Sequence, residues 1–185
     1  EKMVRKLKEW VRSGGTLLLM KAAAAWACGE KVGLLGSRQV RIRETEESAA
    51  GQKDAGKKDG GKGAEGRLPP PVPGAFFEAT TFQHHWGTFG FGPRLRLFFN
   101  GRTMLEPLKN DVGRNLVNFS REEDYLISGF CWPDSMDMLR GKPYMASQEL
   151  GSGHVIAFAD DPNFRAMCRF QQRLFFNAVF FGPGH

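Results

Sequence analysis

Residues 4–27 read VRKLKEWVRSGGTLLLMKAAAAWA, and this stretch decides the fold class. Val4, Leu7 and Val11 recur at helical spacing, so the first half predicts an amphipathic helix. The run Ser13-Gly14-Gly15 predicts its end, because glycine readily adopts the left-handed conformation that closes a helix. A surface helix followed by a tight glycine turn is a typical entry into a buried strand.

The apolar run Thr16–Met20 follows that turn directly. It has no polar alternation, which is typical of a strand buried on both faces of a parallel sheet. The alanine-rich residues 21–27 then predict the start of a second helix. Helix, turn, buried strand and helix in this order indicate an α/β fold.

The last part of the chain repeats this pattern. A Gly-Ser-Gly turn at residues 151–153 leads into an apolar strand over residues 154–159. Asp161 then suits the N-cap and Pro162 the first position of a long helix, since proline there loses no helical hydrogen bond. Gly182-Pro183 predicts the end of that helix.

The middle of the chain predicts short strands. They cover residues 94–99, 116–119, 125–130 and 144–149. Asn100-Gly101 after the first of them is a turn signal. We therefore expect a partial flavodoxin-like, amidotransferase-like three-layer sandwich with a strand-rich middle elaboration.

Residues 44–73 interrupt the pattern. Gly, Lys, Ala, Asp and Glu dominate there, and a Leu-Pro-Pro-Pro run at 68–71 closes the segment. Such a composition cannot bury enough apolar surface to offset the entropy of ordering, so it predicts a flexible insertion in a single domain, residues 1–185. A domain boundary is the alternative, although the residues before it hold only one clear strand.

Composition excludes several classes of protein. The 185 residues are 41% hydrophobic and 25% charged, which is an ordinary globular balance. No apolar run approaches the roughly 18–20 residues that span a bilayer, so we expect no transmembrane segment. Part of the net charge of +6 lies in the first twelve residues, where five bases face two acids, and the rest comes from scattered bases, so we expect no nucleic-acid partner. Glu1 is not an initiator residue, and we expect the chain to begin inside a longer gene product.

The sequence offers little reactive chemistry. Cys28, Cys131 and Cys168 form no C-x-x-C pair, which argues against structural zinc and for small buried side chains. A nucleophile elbow is a sharp strand-to-helix turn that carries Ser or Cys. The turn after Met20 instead reads Lys-Ala-Ala-Ala, and Lys21 alone is most simply a solvated charge. We therefore predict no catalytic residue.

Five residues remain as ligand candidates. Asp160, Asp161 and Arg165 follow the last predicted strand, at an edge where α/β proteins bind ligands. His85 and Trp86 are an adjacent pair that would suit a ligand or a packed histidine. His84 is next to them, but neighbours in a strand point to opposite faces, so a shared metal is not expected.

Five blocks in this order carry a resemblance to a known family. They are residues 7–17, 73–75, 85–90, 128–133 and 151–165, the last running on to 173–178. The first resembles the helix-turn-strand of class I glutamine amidotransferase-like domains. Taken together the blocks resemble the C-terminal amidotransferase-like domain of bacterial zinc carboxypeptidase-family (carboxypeptidase A-like) proteins.

The resemblance implies a degenerate accessory module. The zinc of such proteins belongs to their peptidase domain, whose His-x-x-Glu motif has no counterpart here, so we expect no cofactor in this segment. The parent would be a zinc metallocarboxypeptidase-like hydrolase, exported to the periplasm or the extracellular space. The first strands of the flavodoxin-like sheet would be missing from this chain.

Two functions follow as hypotheses. In the first, the chain is a non-catalytic accessory domain that packs on its own protein's peptidase domain or orients substrates for it. In the second, it is a stand-alone α/β domain that binds a small ligand near residues 161–164. A third alternative is a degraded enzyme with chemistry from Lys21 or His154. The sequence leaves a homo-oligomer open in the first two.

Overall fold

The computed structural model describes residues 2–42 and 66–185. They contain four α-helices and seven strands. The helices are α1 Lys2–Arg12, α2 Ala22–Ala27, α3 Pro133–Leu139 and α4 Arg169–Phe181. The strands are β1 Thr16–Met20, β2 Val72–Thr81, β3 Arg94–Gly101, β4 Arg114–Phe119, β5 Leu126–Gly129, β6 Pro143–Leu150 and β7 Gly153–Phe158. Short 3-10 turns lie at Trp86–Thr88, Phe164–Ala166 and Gly182–Gly184.

All seven strands form one sheet. Their order is β1-β7-β6-β4-β2-β3, and β5 pairs with β2 beside this path. β1 and β7 are parallel, with Thr16 opposite His154 and Met20 opposite Phe158. The other pairs are antiparallel. The predicted middle strands therefore extend the same sheet that the two apolar runs begin.

The sheet is covered on both faces. Because side chains alternate along a strand, β7 contributes Val155 and Ala157 to one core and Ile156 and Phe158 to the other. The first core lies under α1 and α2 and includes Val11 and Ala24. The second lies under α4 and contains the large aromatic side chains Phe77, Phe99, Phe119, Tyr125 and Tyr144. This layering confirms the predicted α/β three-layer architecture.

β1 is less buried than its apolar sequence suggested. Only Leu19 is buried among its five residues, while every residue of β7 is buried. β1 ends the strand order, so one of its long sides has no neighbouring strand among the described residues. Both faces of β1 nevertheless contact a core, Leu17 and Leu19 on one side and Leu18 and Met20 on the other, so the predicted packing on both faces is confirmed although the burial is incomplete.

Three boundaries differ from the sequence prediction. β2 was not predicted, and its first residues, Val72 and Pro73, are the last two of the predicted insertion. Asn100-Gly101 is no turn but the end of β3, and Gly101 pairs with Val72. The last helix begins at Arg169 rather than Pro162, so Asp161 is not its N-cap. Arg165 and Ala166 have positive φ angles of 51° and 52°, and this left-handed backbone interrupts the helical path.

Residues 44–65 of the predicted insertion lie outside the described residues. At its two borders the chain is paired, because Ile42 and Arg67 form an antiparallel bridge. The proline run just before β2 is fixed at one point, where Ser135 Oγ donates to the Pro70 carbonyl at 3.0 Å. Within the described ranges, every helix falls short of the length and apolarity that a bilayer crossing requires.

Candidate functional site

The turn between β1 and α2 has the geometry of a nucleophile elbow. Lys21 follows the last residue of β1 and adopts φ 52° and ψ −125°, while α2 begins at the next residue. Its N–H donates to the Phe158 carbonyl at 3.0 Å, which ties the turn to the end of β7. A non-glycine residue is rarely held at positive φ, and such strain is typical of positions where a side chain must be presented sharply.

Lys21 is not the free surface charge that the sequence suggested. Its side chain is 41% exposed, and Nζ lies 2.8 Å from Asp160 Oδ1. The same ammonium donates to the Asn100 carbonyl at 3.1 Å. Its charge is thus divided between a carboxylate after β7 and a backbone oxygen at the end of β3.

Asp160 is the centre of this cluster and is completely buried. Besides Lys21, it accepts from the backbone N–H of Asp161 at 2.8 Å and from that of Asn100. Burial raises the pKa of Asp160, and this outweighs the lowering by Lys21 and by the two backbone donors. A buried carboxylate whose oxygens accept from three donors has a structural role and is not accessible to a ligand.

These contacts close the open edge of the sheet. Among the described residues β3 pairs with β2 on one side only, so its outward N–H and C=O groups need other partners. Asp160 and Lys21 form hydrogen bonds with the backbone N–H and C=O of Asn100. Phe98 lies two residues before Asn100 in β3, and Gln171 of α4 bonds to its backbone groups. Gln171 Oε1 accepts from the Phe98 N–H at 2.8 Å, and its Nε2 donates to the Phe98 carbonyl at 3.1 Å.

Asp161 and Arg165 lie beside this cluster, but their side chains make separate local contacts and do not form one binding site. Asp161 Oδ1 accepts from the Asn163 N–H at 2.8 Å, which is a local turn contact. The Arg165 guanidinium lies 5.1 Å from the centre of the Phe164 ring. Lys21 Nζ lies 5.7 Å from the same ring. The predicted helix start that would have bound an anion here is absent.

His85 and Trp86 lie at the opposite end of β7, beside His154 and His185. Trp86 stacks on His185 with centroids 5.6 Å apart and meets His154 edge-on at 5.6 Å. These residues and Glu149 line a cleft of about 680 Å³. The five sequence candidates therefore fall into two separate places.

The ring nitrogens of this cluster have defined partners. His85 Nδ1 accepts from the Gly87 N–H at 3.0 Å and so caps the Trp86–Thr88 turn. His154 Nε2 lies 2.8 Å from the His185 carbonyl, so this nitrogen carries the proton and donates. His154 Nδ1 is buried and has no hydrogen-bond partner in the described ranges. Burial and the neighbouring His154 and His185 lower the pKa of His85 from 6.5 to about 4.

This lowered pKa predicts a pH-dependent stability. Between pH 6.5 and about 4 the His85 side chain is protonated in the unfolded chain but neutral in the folded chain. The free energy of unfolding therefore decreases as the pH falls through this range. We expect a loss of about 1–2 kcal/mol, reduced by solvent screening because His85 is only half-buried. His85→Asn keeps an acceptor for the Gly87 N–H. It should remove this part of the pH dependence of the free energy of unfolding, which is measured by urea unfolding at several pH values.

The matched control is His84→Asn, on the exposed neighbouring residue. We expect its free energy of unfolding to vary with pH as that of the wild type does. If His85→Asn also shows the wild-type pH dependence, His85 is not its source.

The three thiols are poorly suited to nucleophilic chemistry. Burial raises the pKa of Cys28 and of Cys131 to about 11, and it also raises the pKa of Cys168. None of them is at the elbow. Within the described part of the chain, no group of three or more His, Cys, Asp or Glu side chains is arranged to hold a metal ion.

The sequence missed most of the contacts at the elbow. Lys21, Asn100, Asp160 and Gln171 are spread over the whole chain and share no motif. The one available signal was an acidic residue directly after an apolar strand, which marked Asp160 without naming its partner. The grouping of His154 and His185 with Trp86 had no sequence signal at all.

Comparisons with known proteins concern the fold. No family model and no curated protein matches the chain. Three solved structures are similar to all or nearly all of it. The cytoplasmic protein STM1381 from Salmonella typhimurium LT2 is 15% identical with a TM-score of 0.50, and the match covers 100% of this chain and 59% of that one. The cytoplasmic protein STM3548 from Salmonella typhimurium is 14% identical with a TM-score of 0.52, and the match covers 96% of this chain and 59% of that one. A protein described as ThuA-like from Parabacteroides merdae ATCC 43184 is 11% identical with a TM-score of 0.59, and the match covers 99% of this chain and 65% of that one.

Two conclusions follow from these structures. Two of them are of proteins named as cytoplasmic, and this finding overturns the export that we expected from the carboxypeptidase resemblance. The chain spans 59–65% of the length of the three. Its α/β fold is similar to that of these three structures, one of which is described as ThuA-like, and this is consistent with the predicted amidotransferase-like fold class.

Proposed function

We propose that this chain is a non-catalytic accessory domain that packs against the rest of a larger protein. The observation that carries the proposal is the state of the elbow. Lys21 stands where this architecture would present a reacting group, and both a buried carboxylate and a carbonyl hold its ammonium. The polar groups at this edge of the sheet thus serve to close β3 rather than to meet a substrate.

A lysine in this setting is a weak candidate for chemistry. An amine acts as a nucleophile or base only after it loses its proton. Here the amine is occupied by Asp160, which is itself buried and bound to two backbone N–H groups. The contacts therefore support a structural role for Lys21.

An exposed aromatic surface supports the packing role. Ile127 of β5 and the residues that link β5 to α3, Phe130 and Trp132, are all exposed although they are large and apolar. The rings of Phe130 and Trp132 meet edge-on at 4.7 Å. Contiguous apolar surface of this kind is typical of a contact with another domain or protein. We propose that it faces the remainder of the parent protein, which the sequence resemblance implies to be a zinc carboxypeptidase-like hydrolase.

The proposal makes a prediction about activity. The purified chain should release neither ammonia from glutamine nor C-terminal residues from peptides, and Lys21→Ala should change neither result. Ammonia release and amino-acid release, both measured with and without added zinc, are the readouts. Turnover that is present in the wild type and lost in Lys21→Ala would contradict the proposal.

The packing role has its own experiment. In the complete gene product, Phe130→Asp should make the chain more accessible to limited proteolysis relative to the rest of the protein. Ser128→Asp, on the same exposed segment but with a polar side chain to begin with, is the control. Equal proteolysis of the two variants and the wild type would argue against this surface as the packing contact.

A second candidate is a small-ligand domain, and the cleft beside Trp86 is the observation that favours it. Histidine rings, an aromatic face and the Glu149 carboxylate line its volume of about 680 Å³. A thermal-shift screen with nucleotides, sugars and carboxylates tests it, since a ligand that binds only the native state raises the melting temperature. A shift that His85→Asn abolishes would favour this candidate over the first.

A further inference from the structure

α4 buries one face and leaves the opposite face uncovered. Its buried residues are Gln171, Leu174, Asn177 and Ala178. On the opposite face Phe176 is 47%, Val179 38% and Phe180 73% exposed. Large apolar side chains on one side of a helix are costly in water, so this face is typical of a protein interface.

Exposed rings of this helix are in contact in two separate pairs. Phe176 and Phe180 stack with centroids 6.1 Å apart. Phe181 meets Phe89 edge-on at 5.8 Å, and Phe89 is itself exposed. We call Phe176, Val179 and Phe180, which share the side of the helix opposite its buried residues, the α4 aromatic face.

The charges on the same helix are arranged asymmetrically. Arg169 and Arg173 lie in its first half, and Arg169–Phe181 contains no acidic residue. Positive charge near a helix N-terminus is opposed to the helix dipole. The Arg173 guanidinium lies over the Phe91 ring at 5.4 Å, and within the described ranges neither arginine forms an ion pair. One end of the exposed face is therefore basic and the other end apolar.

We propose that a second copy of this chain binds the α4 aromatic face, with the two α4 helices antiparallel about a two-fold axis. With the axis midway between Phe176 and Phe180, each of these rings meets the other ring of the second copy. Arg173 then comes level with the carboxyl end of the second copy's α4, where the helix dipole is negative. Because both copies use the same surface, the assembly closes as a dimer.

The spacing keeps the like charges apart. Arg173 lies five residues from the proposed axis, which is about 7.5 Å at about 1.5 Å per residue. The two Arg173 side chains of the dimer are then about 15 Å apart along the helices, beyond the screening length of about 8 Å at physiological salt. A parallel pairing would instead bring the arginines together. The charge pattern therefore favours an antiparallel second copy.

Sedimentation across protein concentrations from micromolar to near-millimolar tests the proposal. We expect the wild type to reach twice the chain mass and Phe180→Asp to weaken this association at least ~100-fold, because it buries a charge in both copies. Phe130→Asp, on the separate surface beside Trp132, is the matched control and should dimerise like the wild type. A monomeric wild type, or a Phe180→Asp variant that dimerises equally well, would assign this face to another partner and overturn the proposal.

The orientation has a separate test. Phe176→Cys and Phe180→Cys copies are mixed and oxidised, and the disulfides are mapped by mass spectrometry. The antiparallel dimer predicts mostly bonds between residue 176 of one copy and residue 180 of the other. Bonds that join equal positions in most of the product would show a parallel pairing and overturn the arrangement.

Discussion

Asp160→Ala is expected to lower the free energy of unfolding by about 3–5 kcal/mol. The substitution leaves the backbone N–H groups of Asn100 and Asp161 without their acceptor, and it removes the anionic partner of Lys21. Breaking a buried pair costs about this much, because the groups that remain are desolvated and unpaired. Urea unfolding monitored by circular dichroism gives the value, provided that the slope of the transition stays constant.

Two further variants separate this effect from general damage. Asp161→Asn keeps an acceptor for the Asn163 N–H and should cost less than about 1 kcal/mol. Lys21→Met combined with Asp160→Leu should cost less than the sum of the single changes, since the two side chains act together. A value for Asp160→Ala within about 1 kcal/mol of the wild type would refute the view that Asp160 holds the edge of β3.

Gln171→Leu is expected to cost about 3 kcal/mol. Leucine nearly fills the volume of glutamine, so little cavity forms, but the N–H and C=O of Phe98 both lose their partner. The Tyr144 hydroxyl, which lies 2.5 Å from Gln171 Nε2, loses its contact as well. Each buried polar group left unsatisfied costs about 1–3 kcal/mol. Urea unfolding again gives the difference, and the amide of Phe98 should exchange its hydrogen faster.

The neighbouring residue provides the matched control for this prediction. Gln172 is partly exposed, and its side chain makes no hydrogen bond recorded in the described part of the chain. Gln172→Leu should therefore change stability by less than about 0.5 kcal/mol. Equal effects of the two leucine substitutions would mean that the bonds to Phe98 contribute nothing.

Much of the fold was predictable because local patterns carry it. The periodicity of α1 and the apolar runs of β1 and β7 have causes within a few residues of each position, so their bounds were predicted closely. The start of α4 was not. Asp161-Pro162 is a good local helix start, yet the left-handed backbone at Arg165 and Ala166 moves the helix to Arg169.

The candidate site was much less predictable. The sequence indicated that the turn after Met20 lacks a cysteine or serine, and this holds. It did not indicate that Lys21 would be strained, paired and shared with β3. Its five ligand candidates also do not form one site, since Asp160 lies at one end of β7 and His85 near the other.

The sequence by itself determined the α/β class, the approximate positions of six strands and the missing nucleophile, because each depends on the identity and spacing of neighbouring residues. It did not predict β2, with which β3, β4 and β5 all pair. Only the tertiary structure decided what the polar residues do. The curled sheet brings the free edge of β3 to the end of β7 and to α4, so Asp160, Lys21 and Gln171 bond to backbone groups. An unpaired strand edge inside a protein must find partners, and those partners can be any polar side chains that the fold brings near.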